Sequence, residues 1–345
     1  MSALRPLGNP PNPWATTDVE YLDGEVPLAE LQVYEDHSRS ILAHNDSPDV
    51  GFSWSVNPYR GCFHGCAYCY ARPSHEYLSF GAGTDFERKI VVKPHAAALL
   101  REAFDAPRWK GERVMFSGVT DCYQPLEASY RLTRACLQVC VEYRNPAGII
   151  SKAPLVERDI DVMQELSKAA KFGIAVSIPF WNEAHARAIE PFVTTPARRV
   201  RTLERLARAG LDVGVMVAPI IPGLNDEDIG EVLRAAAGAG AKWAGMVLLR
   251  LPGAVKDVFE ERARAALPLR ADRIVRRIRE TRGGKMYDAR FEVRGKGEGP
   301  YAEAIHALFQ QTATKLGLLC HAEHEEAAEP AVSTFRRPRG QLGLF

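Results

Sequence analysis

The sequence contains few cysteines, has almost no net charge and has no long apolar run. Seven cysteines are spread over 345 residues, and 44 basic side chains against 43 acidic ones leave a formal charge of +1. Disulfide frameworks are typical of short secreted chains, so we expect reduced thiols here. The balanced charge gives no overall attraction to nucleic acid, and any such binding must come from a local patch.

Membrane and export signals are also missing from the sequence. No segment approaches the ~20 consecutive apolar residues that span a bilayer. The first residues lack the basic-then-apolar pattern of a signal peptide. We therefore expect a cytoplasmic protein with no membrane partner. The composition, 46% hydrophobic and 25% charged, is ordinary for a globular chain of one large domain or two small ones.

Three of the cysteines stand together, at Cys62, Cys66 and Cys69, with the spacing C-x3-C-x2-C. The preceding residues 57–61 contain proline and glycine and predict a turn. A loop of this kind can wrap three thiolates around one face of an iron–sulfur cube. Clusters favour thiolate ligands, and an iron without a cysteine is open to a cofactor or substrate. The motif therefore indicates a [4Fe-4S] cluster with one open iron.

Other interpretations of this motif remain. A structural zinc site needs four ligands, commonly two C-x2-C pairs, and only one such pair is present. His64, between the first two cysteines, is more typical of a loop residue than of a fourth ligand, because ligands so close in sequence would strain the geometry. A chance occurrence of three cysteines is the remaining alternative.

After the cysteine loop, strand and helix patterns alternate along the chain. Strands are expected at 89–93, 113–117, 148–152, 174–178, 212–217 and 243–249, and helices at 95–104, 132–143, 158–172, 196–209, 226–237, 255–266 and 270–282. Thr195 is the expected N-cap of the helix at 196–209, with Pro196 in its first turn and Gly210 after its end. Repeated βα units with apolar strands predict a parallel sheet covered by helices. Pattern alone does not separate a doubly wound sheet from a barrel.

The chain divides into four expected regions. Residues 1–50 form an N-terminal arm, 51–290 the α/β core, 291–320 a C-terminal helical extension, and 321–345 a flexible tail. The tail begins with a polar stretch rich in His, Glu and Ala, which is typical of a solvated linker.

The cysteine motif, with the aromatic Tyr68 before its last cysteine, resembles the radical S-adenosylmethionine (SAM) superfamily. Over residues 50–250 the closer resemblance is to the spore photoproduct lyase-like branch, often described as related to DNA repair photolyases. It is carried by residues 66–70, 119–121, 152, 189–191 and 220–226. The resemblance implies a partial (β/α)6 TIM-type barrel with a [4Fe-4S] cluster and SAM as cofactors.

The same resemblance implies a reaction and partners. A SAM-derived 5′-deoxyadenosyl radical would abstract hydrogen, in DNA repair or in another modification of nucleic acid. An electron donor such as flavodoxin or ferredoxin would reduce the cluster. Two alternatives stay open. One is radical modification of a small molecule or a protein, and the other is a non-catalytic iron–sulfur or zinc adaptor.

Position by position, the resemblance assigns the cluster ligands to Cys62, Cys66 and Cys69 and the SAM contacts to Tyr68, Thr120, Asp121, Lys152 and Ser177. Several of these residues follow a predicted strand, and sites in such barrels gather at the carboxyl ends of the strands. Plain structural alternatives exist for each: a turn at Thr120 and Asp121, a surface lysine at 152, and a core hydroxyl at 177.

The chain departs from the lyase at one telling position. The lyase has a cysteine, which returns hydrogen to the product radical, where this chain has Gly118. Cys122 is a candidate substitute, and Tyr70 matches a tyrosine of the lyase's hydrogen-transfer path. A free cysteine is more often a small buried hydrophobe, however, and we expect the same of Cys136 and Cys140.

The terminal pentapeptide resembles the bacterial sliding-clamp binding motif, whose usual form is Gln-Leu-Ser/Asp-Leu-Phe. Gln341 would hydrogen-bond at a pocket rim, and Leu342, Leu344 and Phe345 would fill an apolar groove. The alternative is an apolar tail that packs on its own domain. Elsewhere, the arginine-rich helices at 196–209 and 270–282 are either DNA-facing surfaces or solvated faces balanced by acidic neighbours such as Glu204 and Glu280.

Overall fold

The computed structural model describes residues 30–320 and 333–338. In this part of the chain the strands are, in order, β1 (Gln32–Glu35), β2 (Leu42–His44), β3 (Trp54–Val56), β4 (Tyr59–Arg60), β5 (Lys89–Val92), β6 (Val114–Phe116), β7 (Ala147–Ser151), β8 (Phe172–Ser177), β9 (Val213–Ile220), β10 (Trp243–Leu248) and β11 (Leu319–Cys320).

The helices of the same residues are α1 (Thr84–Arg88), α2 (Ala96–Asp105), α3 (Glu127–Tyr130), α4 (Leu132–Glu142), α5 (Ile160–Ala169), α6 (Glu183–Ile189), α7 (Pro196–Arg208), α8 (Ile229–Gly238), α9 (Val255–Ala266), α10 (Pro268–Glu280), α11 (Val293–Lys296) and α12 (Pro300–Lys315). Short 3-10 helices cover Arg72–Leu78, Pro154–Asp159 and Asp226–Asp228. Among the described residues no helix is both long and apolar enough to cross a membrane.

Six parallel strands form the centre of the structure. The main sheet has the order β11-β10-β9-β8-β7-β6-β3-β2, and every pair from β3 to β11 is parallel, whereas β2 is antiparallel to β3. Strands β3 and β6 to β10 are thus the six strands of a (β/α)6 unit in an open sheet, and the expected fold class is confirmed. The strands are nearly all apolar because helices and the interior of the fold cover both faces.

Local sequence explains where several elements begin and end. Thr195 caps α7 by accepting a hydrogen bond from the Arg198 N–H, and Pro196 is in its first turn, as the sequence predicts. Gly210, with φ of +79°, follows the helix. In the sheet, Gly214 is paired with Trp243. A Cβ at Gly214 would lie 2.1 Å from the indole, so only glycine allows this contact.

Two hydrophobic cores flank the sheet. The larger core packs the sheet against α2, α4, α5, α7, α8 and α12, and it includes Cys136 and Cys140, as expected. The second core joins α6, α9 and α10 to the cysteine loop, with Cys66 and Tyr68 among its buried members.

The first barrel strand differs from the prediction. Strand β5, expected as a short strand, joins β1 and β4 in a separate three-stranded sheet. The strand that leads to the cysteine loop is β3, only three residues long and therefore without a readable period. Within the expected arm 1–50, β2 extends the main sheet. Within the expected extension 291–320, α12 packs on α8 and β11 joins the sheet, and the boundaries of the regions stay a prediction.

Residues 333–338 pack on the domain, although the sequence predicts a flexible tail from 321 to 345. The ring of Phe335 stacks on Tyr143 at a centroid distance of 6.2 Å and meets the edge of Phe104 at 6.1 Å. Gly111, with φ of +84°, makes room for this ring, since a Cβ there would lie 2.2 Å from the Cβ of Phe335. Composition alone did not show that an aromatic site existed for this segment.

Hydrogen bonds add to this packing. Arg337 donates to three backbone carbonyls at 2.7–3.0 Å, those of Phe104, Ala106 and Trp109. The Arg336 N–H donates to the Tyr143 carbonyl at 2.9 Å, and the Thr334 hydroxyl to that of Arg144 at 2.9 Å. Gln341, Leu342, Leu344 and Phe345, the residues of the expected clamp-binding peptide, lie outside the described residues, as does the polar stretch 321–332.

Candidate functional site

The three cysteines of the motif lie on one loop that follows β3 and β4. Cys62 and Cys66 are buried and Cys69 is half-buried, and all three are free thiols. Tight turns shape the loop: the Gly65 N–H donates to the Cys62 carbonyl and the Cys69 N–H to the Cys66 carbonyl, both at 3.2 Å. Burial and neighbouring negative charges, the other thiolates included, raise the pKa of Cys66 and raise that of Cys69 to about 11.

The donor set fits an iron–sulfur cluster. Three free thiols, two of them buried and one half-buried, are the ligands that such a cluster favours, and they would leave one iron without a cysteine. In a cube each thiolate binds a different iron, so the thiols need not converge on one point. Among the described residues, no group of three His, Cys, Asp or Glu side chains could hold a single metal ion.

His64 pairs with Asp121 beside the first thiol. Its Nδ1 lies 3.4 Å from Asp121 Oδ2, an ion-pair distance, and both side chains are buried. Burial alone would lower the pKa of His64, but the negative charges of Cys62 and Asp121 raise it to about 10. His64 lowers the pKa of Asp121 to about 2 against the effect of burial. It also lowers the pKa of Cys62, against burial and the opposing charge of Asp121. His64 thus supports the thiolate form of the first cysteine.

Asp121 connects the ends of two neighbouring strands. Its carboxylate accepts hydrogen bonds from the Lys152 N–H at 2.8 Å, the Ser151 hydroxyl at 2.7 Å and the Tyr123 N–H at 2.9 Å. Both oxygens are therefore engaged by protein donors. The expected SAM contact of Asp121 stays a prediction, and its visible role is to position Lys152 and the cysteine loop.

Thr120 contacts the entry to the cysteine loop. Its hydroxyl donates to the Gly61 carbonyl at 2.6 Å and accepts a hydrogen bond from Gln124 Nε2 at 3.1 Å. Gln124 in turn accepts a hydrogen bond from the Phe63 N–H at 3.1 Å. Sequence reasoning missed Gln124, whose role is visible only once β6 and the loop are side by side.

Lys152 and Ser177 meet at the carboxyl ends of β7 and β8. The Lys152 Nζ donates to the Ser177 hydroxyl at 2.8 Å, and that hydroxyl donates to the Ala218 carbonyl at 3.1 Å. The same Nζ lies 5.8 Å from the centre of the Tyr68 ring. The structure thus brings together an ammonium, a hydroxyl and an aromatic ring that are distant in sequence, beside the cysteine loop.

A buried ion pair holds Tyr68. Its hydroxyl donates to Glu190, which also accepts a hydrogen bond from the fully buried Arg199. Arg199 donates further to the carbonyls of Thr194 at 3.0 Å and Ser177 at 3.2 Å. Burial alone would raise the pKa of Glu190, but the Arg199 and Lys152 charges hold it below its usual value. The resemblance includes residues 189–191, yet Glu190 had no expected role before the structure placed it against Tyr68.

The two residues considered for hydrogen transfer lie in different surroundings. The Tyr70 hydroxyl donates to the Gly118 carbonyl at 2.7 Å, and the residue is 51% exposed, with the Arg250 guanidinium 5.6 Å from its ring centre. Cys122 is fully buried in the larger hydrophobic core, where burial raises its pKa well above the usual value. This placement supports the packing interpretation of Cys122, because a hydrogen donor must reach the substrate.

Comparisons with known proteins find a matching family and several relatives. The family described as the radical SAM superfamily matches residues 56–236, just over half of the chain. An uncharacterized protein from Mycobacterium tuberculosis is 37% identical over 60% of this chain, and the match spans 62% of that relative's length. A protein from Pseudomonas phage M6, named as a radical SAM Nalpha-GlyT isomerase, is 24% identical over 87% of this chain and 60% of its own length.

The fold is similar to that of a solved enzyme. A structure of spore photoproduct lyase, complexed with dinucleoside spore photoproduct, superposes with a TM-score of 0.60. The match covers 84% of this chain and 81% of the lyase, at 16% sequence identity. At that identity the likeness shows the fold alone.

The Glu190–Arg199 pair gives a direct test of how the site is held. We expect Glu190→Gln to lower the free energy of unfolding by about 3 kcal/mol, because it leaves the buried Arg199 charge without its partner. The matched change Glu204→Gln, which breaks the exposed pair with Arg208, should cost about 0–1 kcal/mol. Urea denaturation of both variants measures the difference. Equal losses of unfolding free energy in the two variants would mean that the buried pair contributes no more to stability than the exposed pair.

Proposed function

The chain belongs to the radical SAM superfamily, and on that basis we propose that it is an enzyme that abstracts hydrogen from a nucleic-acid substrate. A [4Fe-4S] cluster and SAM are the cofactors of this family, and together they supply the 5′-deoxyadenosyl radical by reductive cleavage of SAM. The proposed ligands of the cluster are Cys62, Cys66 and Cys69.

One observation carries the part of this proposal that concerns the cluster and SAM. Three free thiols, the Lys152–Ser177 pair and Tyr68 converge at the carboxyl ends of neighbouring parallel strands, where barrel enzymes have their sites. The Lys152 ammonium would pair with the SAM carboxylate, the Ser177 hydroxyl would face the ribose, and the Tyr68 ring would lie against adenine. Thr120 and Asp121 would act mainly by positioning the loop and Lys152.

The proposed substrate class depends on two residues at the open side of the site, Tyr70 and Arg250, which we call its mouth. The half-exposed Tyr70 ring is fixed through its hydroxyl and carries the Arg250 guanidinium beside it. A flat aromatic ring can stack on a base, and a guanidinium pairs well with phosphate. We infer that Arg250 meets an anionic group of the substrate.

The enzyme whose fold is similar was solved with dinucleoside spore photoproduct, a ligand of the proposed class, although the likeness itself shows only the fold. The lyase reaction itself is not assigned to this chain, because Gly118 has no side chain to return hydrogen. A thiol there would be crowded, since a Cβ at Gly118 would lie 3.1 Å from the Ser55 hydroxyl and 3.3 Å from Asn57 Nδ2. Modification of a small molecule or protein is the alternative that leaves the same site intact.

The arginine-rich helices give weaker support for nucleic acid. Many of their exposed guanidiniums already have carboxylate partners, among them Arg205 with Glu157, Arg208 with Glu204, and Arg277 with Glu280. These pairs favour solvated helix faces. The proposed contact with nucleic acid is therefore at the mouth of the site rather than on α7 or α10.

A second proposal concerns a partner. The terminal peptide, with Gln341, Leu342, Leu344 and Phe345, resembles a sliding-clamp ligand and follows the docked segment 333–338. That segment contacts residues just before β6 and β7, at the end of the sheet opposite the cysteine loop. A partner that binds the peptide could therefore leave the mouth of the site accessible.

Of the predictions that follow from the proposed function, the first concerns SAM. After anaerobic reconstitution with iron and sulfide, and with dithionite as reductant, the protein should release 5′-deoxyadenosine from SAM, whereas Cys66→Ala should release none. Chromatography of the nucleoside measures both. A cluster that never cleaves SAM, or a protein that takes up zinc instead, would favour the adaptor alternative.

The second prediction concerns Arg250. Arg250→Gln should weaken binding of a short single-stranded DNA several-fold and should reduce the slope of log K against log salt by about one unit, because one phosphate contact is lost. Fluorescence anisotropy at several salt concentrations measures this. The control is Arg201→Gln, which removes the same charge from an exposed position on α7. Equal losses in both variants would indicate non-specific attraction only.

The third prediction concerns the clamp. The purified chain should bind a bacterial sliding clamp saturably in the micromolar range, and Leu344→Ala combined with Phe345→Ala should abolish binding, because the apolar anchors carry most of the energy. Gly343→Ser, which restores the usual residue of the motif, should bind at least as well. Calorimetry with all three proteins distinguishes the outcomes. Binding that survives loss of both anchors would exclude the motif.

A further inference from the structure

A fully buried arginine reaches back into the cysteine loop from just beyond it. Arg72 lies three residues after Cys69, and none of its side chain is exposed. Its guanidinium donates to the Cys66 carbonyl at 2.8 and 3.0 Å and to the Gly65 carbonyl at 3.2 Å. It also donates to the carbonyls of Ala82 and Gly83, both at 2.9 Å, and to Glu87 at 2.5 Å.

A second arginine arrives from far along the chain. Arg262, on α9, donates to the same Gly65 carbonyl at 2.6 Å and to the Glu87 carboxylate at 3.2 Å. The separation in sequence between Arg262 and Gly65 is 197 residues. Glu87 therefore accepts hydrogen bonds from two buried guanidiniums that share one loop carbonyl.

A third arginine lies against the same loop. The Arg88 guanidinium is 4.6 Å from the ring centre of Phe63 and 4.5 Å from that of Phe192, and Arg88 is buried. Such cation–π contacts stabilise a cation that has lost water. A Cβ at Gly65 would lie 2.9 Å from the Phe192 ring and 3.1 Å from Glu87, so the loop fits closely among these groups.

These groups leave an excess of positive charge beside the thiols. Arg72, Arg88 and Arg262 face a single buried carboxylate, Glu87. Nearby, His64 is paired with Asp121 and Glu190 with Arg199, and Lys152 adds a further positive charge. Desolvation lowers the pKa of Arg88 and of Arg262, which shows that burial opposes their charge. Uncompensated buried charge is costly, so a negative counterpart is expected at the loop.

We propose that Arg72, Arg88 and Arg262, together with Glu87, form a charged collar that raises the reduction potential of a cluster bound by Cys62, Cys66 and Cys69. This inference rests on the proposed function. A cluster with three thiolates is anionic and becomes more so on reduction, and the net charge and hydrogen bonds around a cluster set its potential. The collar residues are positioning residues: they hold the loop carbonyls and favour the reduced state.

Arg262 and Glu87 test the proposal with opposite signs. Arg262→Gln keeps an amide near the Gly65 carbonyl but removes a positive charge, so the midpoint potential should become more negative. Glu87→Gln removes the negative charge, so the potential should become more positive. Arg262→Lys keeps the charge and should stay close to the wild type. Arg264→Gln, on the exposed side of the same helix, is the matched control and should not shift it.

The measurement is an anaerobic redox titration of the reconstituted full chain, followed by electron paramagnetic resonance, with iron and sulfide counted per chain. Shifts of opposite sign at full iron content support the collar. An unmoved potential, or equal iron loss in Arg262→Gln and Arg262→Lys, would show a purely steric role and overturn it. A wild-type chain that assembles no cluster would instead contradict the proposed function.

Discussion

The structure depends on burying a loop whose backbone carbonyls have no strand or helix to pair with. A buried carbonyl without a donor costs free energy comparable to a lost hydrogen bond. Arg72 and Arg262 meet this requirement at Gly65 and Cys66, and Glu87 holds both guanidiniums in place. The loop can therefore present three thiols at the end of the sheet without exposing its backbone to water.

The parallel sheet gives that loop its neighbours. Asp121 links the end of β6 to Ser151 and Lys152 at the end of β7, and Lys152 reaches Ser177 at the end of β8. The buried pair of Glu190 and Arg199 then fixes Tyr68 against this row. Each contact joins two elements. The site is therefore formed by the ends of several strands together with the cysteine loop, and the loop alone does not make it.

Prediction from the sequence worked best where the signal was periodic or chemically specific. The strands from β6 to β10 and the cap of α7 were readable because apolar runs and capping residues act locally. Strand β3 was missed because three residues carry no period. The pairing of β5 with β1 was not predicted, because the sequence of a short apolar strand does not show which strand it pairs with. The docking of Phe335 could not be predicted from the sequence, because its site is formed by Phe104 on α2 and by Tyr143 just after the end of α4.

The sequence by itself determined the thiol spacing, the alternation of strands and helices, and the order of the residues that resemble a radical SAM site, because all of these are written in local pattern. Only the tertiary structure decided which charges surround the thiols. Arg262 meets Gly65 across 197 residues, and Glu190 meets Tyr68 across 122. Contacts at such separations depend on how the helices pack around the sheet, and burial then makes each unpaired charge or carbonyl costly enough to require its partner.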